Sequence, residues 1–133
     1  MIKRKIFYSV IQADGITGIR KQDGYELKID GEKFNAYHSM RDDRVYILDP
    51  KNGIALQIYD VDESEDELSE IELIEKAKER LLQSETLSRW KEKRDNESYR
   101  LLGRMFEAYK RAESLREKQK EFAYRENKEA AGQ

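Results

Sequence analysis

The sequence predicts an α+β fold. A small N-terminal antiparallel β-sheet, a meander of hairpins, is followed by two or three helices, the last long and coiled-coil-like. Three observations predict it. Turn dipeptides crowd the first 59 residues. Beyond Gly53 the only glycines are Gly103 and Gly132, and there is no proline. Between these halves lies Asp60–Glu75, a band of nine acids with no lysine or arginine.

The sheet follows from residues 1–60. Asp14-Gly15, Asp23-Gly24, Asp30-Gly31, Arg41-Asp42-Asp43 and Asp49-Pro50 punctuate strand-like runs at Lys5–Ile11, Ile16–Lys21, Tyr25–Ile29, Lys33–Ser39, Arg44–Leu48 and Ile54–Tyr59. Glycine after aspartate supplies the positive φ that a tight hairpin turn needs. Tyr25, Leu27 and Ile29 alternate with Glu26 and Lys28, the period-2 pattern of a half-buried strand. Pro50 suits a type I turn, and Gly53 suits the left-handed bulge position after it. Four to six strands are expected, with one face needing cover.

Residues 61–95 predict a helix packed on that sheet. Ser64-Glu65-Asp66-Glu67 has the capping-box pattern, with Ser64 as N-cap. Leu68, Ile71, Ile74, Ala77 and Leu81 follow at helical spacing. Asp95-Asn96 marks a break, since short polar side chains cap helices; Ser84 is a weaker one. Residues 96–133 then form the long last helix. One unbroken helix over 65–131 would run ~100 Å at about 1.5 Å per residue, too long for a monomer to cover. Leu101, Ala108, Leu115 and Phe122 recur every seven residues, and Met105, Ala112 and Gln119 interleave with them. That is a self-association or hairpin seam, thinned by its alanines. Gly103 within it suggests a close crossing.

Composition narrows the chemistry. With 38% hydrophobic and 41% charged residues, the chain is more charged than an ordinary domain at about 25%. A modest core with solvated helices is expected. Net charge is −2, but residues 1–59 carry +2, 60–75 carry −9 and 76–133 carry +5. The layout predicts charge pairing within or between molecules, not the one-sided basic field of a nucleic-acid binder. The absence of cysteine excludes disulfides and thiolate chemistry. No apolar run approaches the ~20 residues of a membrane span, so a cytoplasmic protein without membrane contact is expected. His38 is the only histidine, with Asp42 and Asp43 nearby but no nucleophile motif or ligand spacing beside it. No catalytic residue, metal or cofactor is expected, and the protein reads as no enzyme.

Arg44-Val45-Tyr46-Ile47-Leu48-Asp49-Pro50-Lys51-Asn52-Gly53-Ile54-Ala55-Leu56, followed by a capped helix, resembles small accessory proteins of phages and mobile elements of Gram-positive bacteria. Anti-CRISPR inhibitors are among them. The likeness spans roughly residues 33–83. It implies a single-domain, non-enzymatic interaction protein that binds a nucleic-acid-handling protein, in some cases through an acidic surface.

Three surfaces are candidates. Asp62, Glu63, Asp66, Glu67 and Glu70 form an acidic partner-binding face, with Trp90 as an anchor, because tryptophan and arginine are enriched in binding hot spots. Capping accounts for Ser64–Glu67 and leaves the other acids over. Alternatively Lys91, Lys93, Arg94, Arg100 and Arg104 bind DNA or RNA directly. The third candidate is a homodimer or adaptor held by Leu101, Met105, Ala108, Leu115 and Phe122.

Overall fold

The computed structural model describes residues 2–13 and 16–131, with side chains for 2–10 and 18–126. Five strands form one antiparallel sheet whose spatial order is the chain order: β1 (Lys3–Ala13), β2 (Ile16–Ile29), β3 (Glu32–Ser39), β4 (Arg44–Leu48) and β5 (Ala55–Asp60). A single 3₁₀ turn (Glu63–Glu65) leads to α1 (Glu70–Gln83), α2 (Thr86–Lys93) and α3 (Glu97–Ala131). The α+β class and the long final helix are as the sequence predicts.

The turns show which local signals prevail. Asp30 (φ 51°) and Gly31 (φ 78°) both take positive φ between the paired residues Ile29 and Glu32, as a two-residue primed turn requires. Asp43 (φ 52°) and Gly53 (φ 72°) also occupy the left-handed region at their turns. The Asp14-Gly15 turn lies outside the described residues. Asp23-Gly24 is no turn. Both residues sit inside β2, paired with Ile6 and Lys5, so two expected strands are one. A Cβ on Gly24 would lie 2.4 Å from the Ala36 carbonyl oxygen and 2.7 Å from the Phe7 ring. Glycine is there because neighbouring groups close over it.

One sheet face makes the core. Tyr25, Leu27, Phe34, Ala36, Val45, Ile47 and Tyr59 pack against Leu73, Ile74, Ala77 and Leu81 of α1 and Leu87 and Trp90 of α2. Burying such side chains contributes about 1.5–3 kcal/mol each. The helix register differs from the expected one. Ser64 lies in the 3₁₀ turn, whose own capping box is Asp62 with Glu65. The cap of α1 is Ser69, which accepts from Glu72 N–H while Glu72 caps Ser69 in return. Both boxes meet the same local rule; α1 starts where burial of its apolar face can begin. Leu73 therefore joins the buried stripe, and Ile71 faces solvent. The chain breaks at Ser84–Glu85 as well as at residues 94–96.

The β4–β5 turn joins the layers. Asp49, 2% exposed, accepts from Trp90 Nε1 at 2.8 Å and from Lys51 N at 2.9 Å. Its backbone carbonyl accepts from Gly53 N at 2.8 Å, and its N–H donates to Ile54 O at 2.9 Å. Phe34 meets Trp90 edge-on, with ring centroids 5.1 Å apart. On the other side of the turn a Cβ on Gly53 would lie 2.7 Å from the Phe106 ring, so α3 seats directly on the backbone there. Gly103 marks no close crossing: its Cβ position lies 3.5 Å from Lys51 O of this turn, an ordinary van der Waals contact.

Gly24→Ala is expected to cost about 2 kcal/mol or more, since the backbone oxygen it meets cannot rotate away. Gly31→Ala, where no atom lies within 4 Å but φ is +78°, should cost about 1 kcal/mol from the left-handed backbone alone. Urea unfolding of the two variants checks the order; equal losses would contradict the close-approach account of Gly24.

Candidate interaction surfaces

The acidic band divides by contact. Asp60 accepts from Arg44 Nε at 2.7 Å. Glu70 accepts from the Tyr25 hydroxyl at 3.0 Å, and Glu72 and Asp62 cap helical turns. Glu65, which sequence reasoning read as helix-start chemistry, is the most engaged. It is 6% exposed, accepting from the Tyr59 hydroxyl, from Asp62 N at 3.0 Å and from Lys76 at 2.9 Å. Those donors, the Tyr59 hydroxyl foremost, hold its carboxyl down to about 2. Glu63, Asp66, Glu67 and Glu75 are exposed and make no ion pair among the described residues. Among the described residues one member of the band, Glu65, pairs with the basic segment that follows it, through Lys76 of α1. Lys91 and Arg94 reach the β2–β3 turn instead: Lys91 to Asp30 at 3.0 Å and Arg94 to Glu32.

Trp90 is a correction. At 5% exposed, with its N–H bonded to Asp49, it belongs to the core and offers no surface to a partner. The basic set is divided too. Lys91 and Arg94 are held as above, and Arg104 lies 3.4 Å from Glu97. Lys93 and Arg100 are exposed and make no ion pair among the described residues. His38 Nε2 lies 2.7 Å from Asp43 Oδ1, a polar contact across the β3–β4 turn. Among the described residues no group of three or more His, Asp or Glu side chains is placed to hold a metal ion, and no helix is long and apolar enough to cross a membrane.

The seam residues share one fate. Leu101 (51% exposed), Met105 (46%), Leu115 (60%) and Phe122 (64%) lie open, as do Ala108, Ala112 and Gln119. The sheet is met by another edge of α3, through buried Phe106 and through Glu117, which takes an ion pair from Lys21 at 3.1 Å. Glu117 raises the Lys21 ammonium above its ordinary value by this hydrogen bond and its charge. Residues 99, 103, 106, 110, 113 and 117 are all at most part-exposed and step by three or four, which is one helix face.

Sequence reasoning missed a groove. On the second sheet face Tyr37 and Tyr46 stack at 5.1 Å and 14°, with Phe7 6.2 Å from Tyr37. Between this face and α3 lies an open groove of about 980 Å³, with Arg20, Arg41, Met105 and Tyr109 on its walls. Ser9 Oγ and Asn35 Oδ1, on strands of this sheet, are buried with no hydrogen-bond partner among the described residues. Strand alternation does place Tyr37 and Tyr46 opposite the core face. Their meeting with α3 depends on helix direction, which no local pattern carries.

Glu65 makes a pH prediction. Its carboxyl falls from an ordinary 4.5 to about 2 on folding. The stability it supplies is therefore complete above the ordinary value and is lost as pH falls through the folded value. Glu65→Gln should flatten the fall of the urea midpoint between about pH 5 and pH 2; parallel profiles for the two proteins would rule this contribution out.

No family model, no curated protein and no solved structure matches the chain.

Proposed function

We propose that the protein is a non-enzymatic interaction protein, acting by docking another macromolecule on its surface. The observation that carries this is the free face of α3. Scattered exposed apolar residues are ordinary on a monomer. A row at coiled-coil spacing, left open while the same helix docks through another edge, is the pattern of a surface kept for a partner.

A finer reading is an inhibitor of a nucleic-acid-handling protein, of phage or mobile-element type. Two things support it: the resemblance carried by Arg44–Leu56, and the exposed Glu63, Asp66 and Glu67, whose charge no cation among the described residues neutralises. Such acids favour a basic partner surface. Direct nucleic-acid binding has less beneath it, because Lys91, Arg94 and Arg104 are already engaged.

The test uses the full chain as bait in a lysate of its native host. Leu115→Asp with Phe122→Asp is compared with Glu63→Lys, Asp66→Lys and Glu67→Lys together. All five positions are exposed, so the thermal midpoint should hold and each stability change should stay within about 0.5 kcal/mol. The α3 variant is expected to release proteins that the wild type retains. Release by the acid variant as well would support the inhibitor reading. Identical retention by all three proteins would sink docking through either face.

A further inference from the structure

The open face of α3 has a charge pattern that discriminates between occupants. The 4-3 spacing assigns Met105, Ala112 and Gln119 to heptad position a, and Leu101, Ala108, Leu115 and Phe122 to position d. One flank, position g, is then Arg104, Arg111, Lys118 and Arg125. Every member is a base. The other flank, position e, is Leu102, Tyr109, Arg116 and Ala123. Between residues 101 and 125 neither flank holds an acid. Within that stretch the acids of α3 lie elsewhere on its circumference; Glu97 begins the g row, and among the described residues Glu97 and Glu121 reach its bases, through exposed pairs to Arg104 and Arg125. Arg111 and Lys118 are exposed and make no ion pair among the described residues.

A second copy of this chain fits the face poorly. In an antiparallel pair the g rows face each other, so four bases meet four bases. In a parallel pair Arg111 faces Arg116 of the copy, and the remaining bases meet neutral residues. The middle of the seam is also thin. A parallel copy would set Ala108 against Ala108 and Ala112 against Ala112, leaving space where large side chains normally interlock.

We infer that α3 docks an amphipathic helix of a partner protein, one with large apolar residues in its seam and aspartate or glutamate along its flanks. Large side chains fill the hollow over Ala108 and Ala112, and flanking carboxylates meet Arg111 and Lys118, the two bases of the row that make no ion pair among the described residues. The exposed walls Leu102 and Tyr109 extend the apolar strip on the other side. This inference rests on the docking role of α3 proposed above and names its ligand.

The full chain should be titrated with two synthetic three-heptad helical peptides, each with leucine at a and d. One carries glutamate at e and g, the other lysine. The acidic peptide is expected to bind about tenfold or more tightly than the basic one, and to weaken as salt rises. Arg111→Glu with Lys118→Glu should reverse the preference, and Leu115→Asp should abolish binding of both peptides with the circular dichroism of the chain unchanged. Equal affinity for the two peptides would overturn the acidic-partner inference while leaving α3 a docking surface. Binding of neither, with a monomer in sedimentation, would overturn the docking role itself. A stable dimer dispersed by Leu115→Asp would assign the face to a second copy. Oligonucleotide binding lost in Arg111→Glu with Lys118→Glu but kept in Leu115→Asp would assign the basic row to nucleic acid. Either of the last two results defeats the inference.

Discussion

The hydrogen bond from Trp90 to Asp49 holds the layers of this molecule together. A carboxylate at 2% exposure is costly to bury unless its oxygens are satisfied. Here one oxygen takes the indole N–H and the other takes the Lys51 N–H. The β4–β5 turn can fold back only in a shape that presents both oxygens, and α2 can approach only with its indole edge toward that turn. Once the turn is set, its far side offers bare backbone at Gly53, and Phe106 of α3 closes over it. Two successive helices, α2 and α3, are thus positioned by one turn of six residues, Asp49–Ile54. The bond is also why Trp90 has a structural role: an indole committed to a buried carboxylate has no free edge for another molecule.

Two Asp-Gly dipeptides show how far local sequence reaches. Asp30-Gly31 and Asp23-Gly24 are identical as local signals, yet one turns the chain and the other lies inside a 14-residue strand. What separates them is the Ala36 carbonyl and the Phe7 ring pressing on Gly24, contacts made by residues far away in the chain. The two helix-start patterns, Ser64-x-x-Glu67 and Ser69-x-x-Glu72, pose the same ambiguity. The second prevails because Leu73 and Ile74 then face the sheet. Strand alternation, turn position at Asp30, Asp43 and Gly53, and the breaks near Ser84 and Asp95 were legible because they depend on nearest neighbours. Helix start and the destination of each charged side chain were not, because tertiary packing decides them.

The surfaces follow the same division. Heptad spacing in α3 was readable, and the structure adds which faces are occupied: one edge is used by the sheet and the apolar row is open. Charge summed over segments was misleading. The band at −9 and the segment at +5 suggest a match, but among the described residues the one ion pair between them is Lys76 with Glu65, while Lys91 and Arg94 turn to Asp30 and Glu32, which carry no sign of being special in the sequence. Glu65 is the acid the fold depends on, and it sits unmarked among eight others.

The sheet adds strands in chain order, each pairing with the one just made. Every pairing is therefore a hairpin closed by a short connection, with little loop entropy to overcome. Such low contact order favours rapid assembly. Each strand pairs with the one next to it in the chain, and no strand waits for a distant partner. The helices then complete the sheet by covering its apolar face.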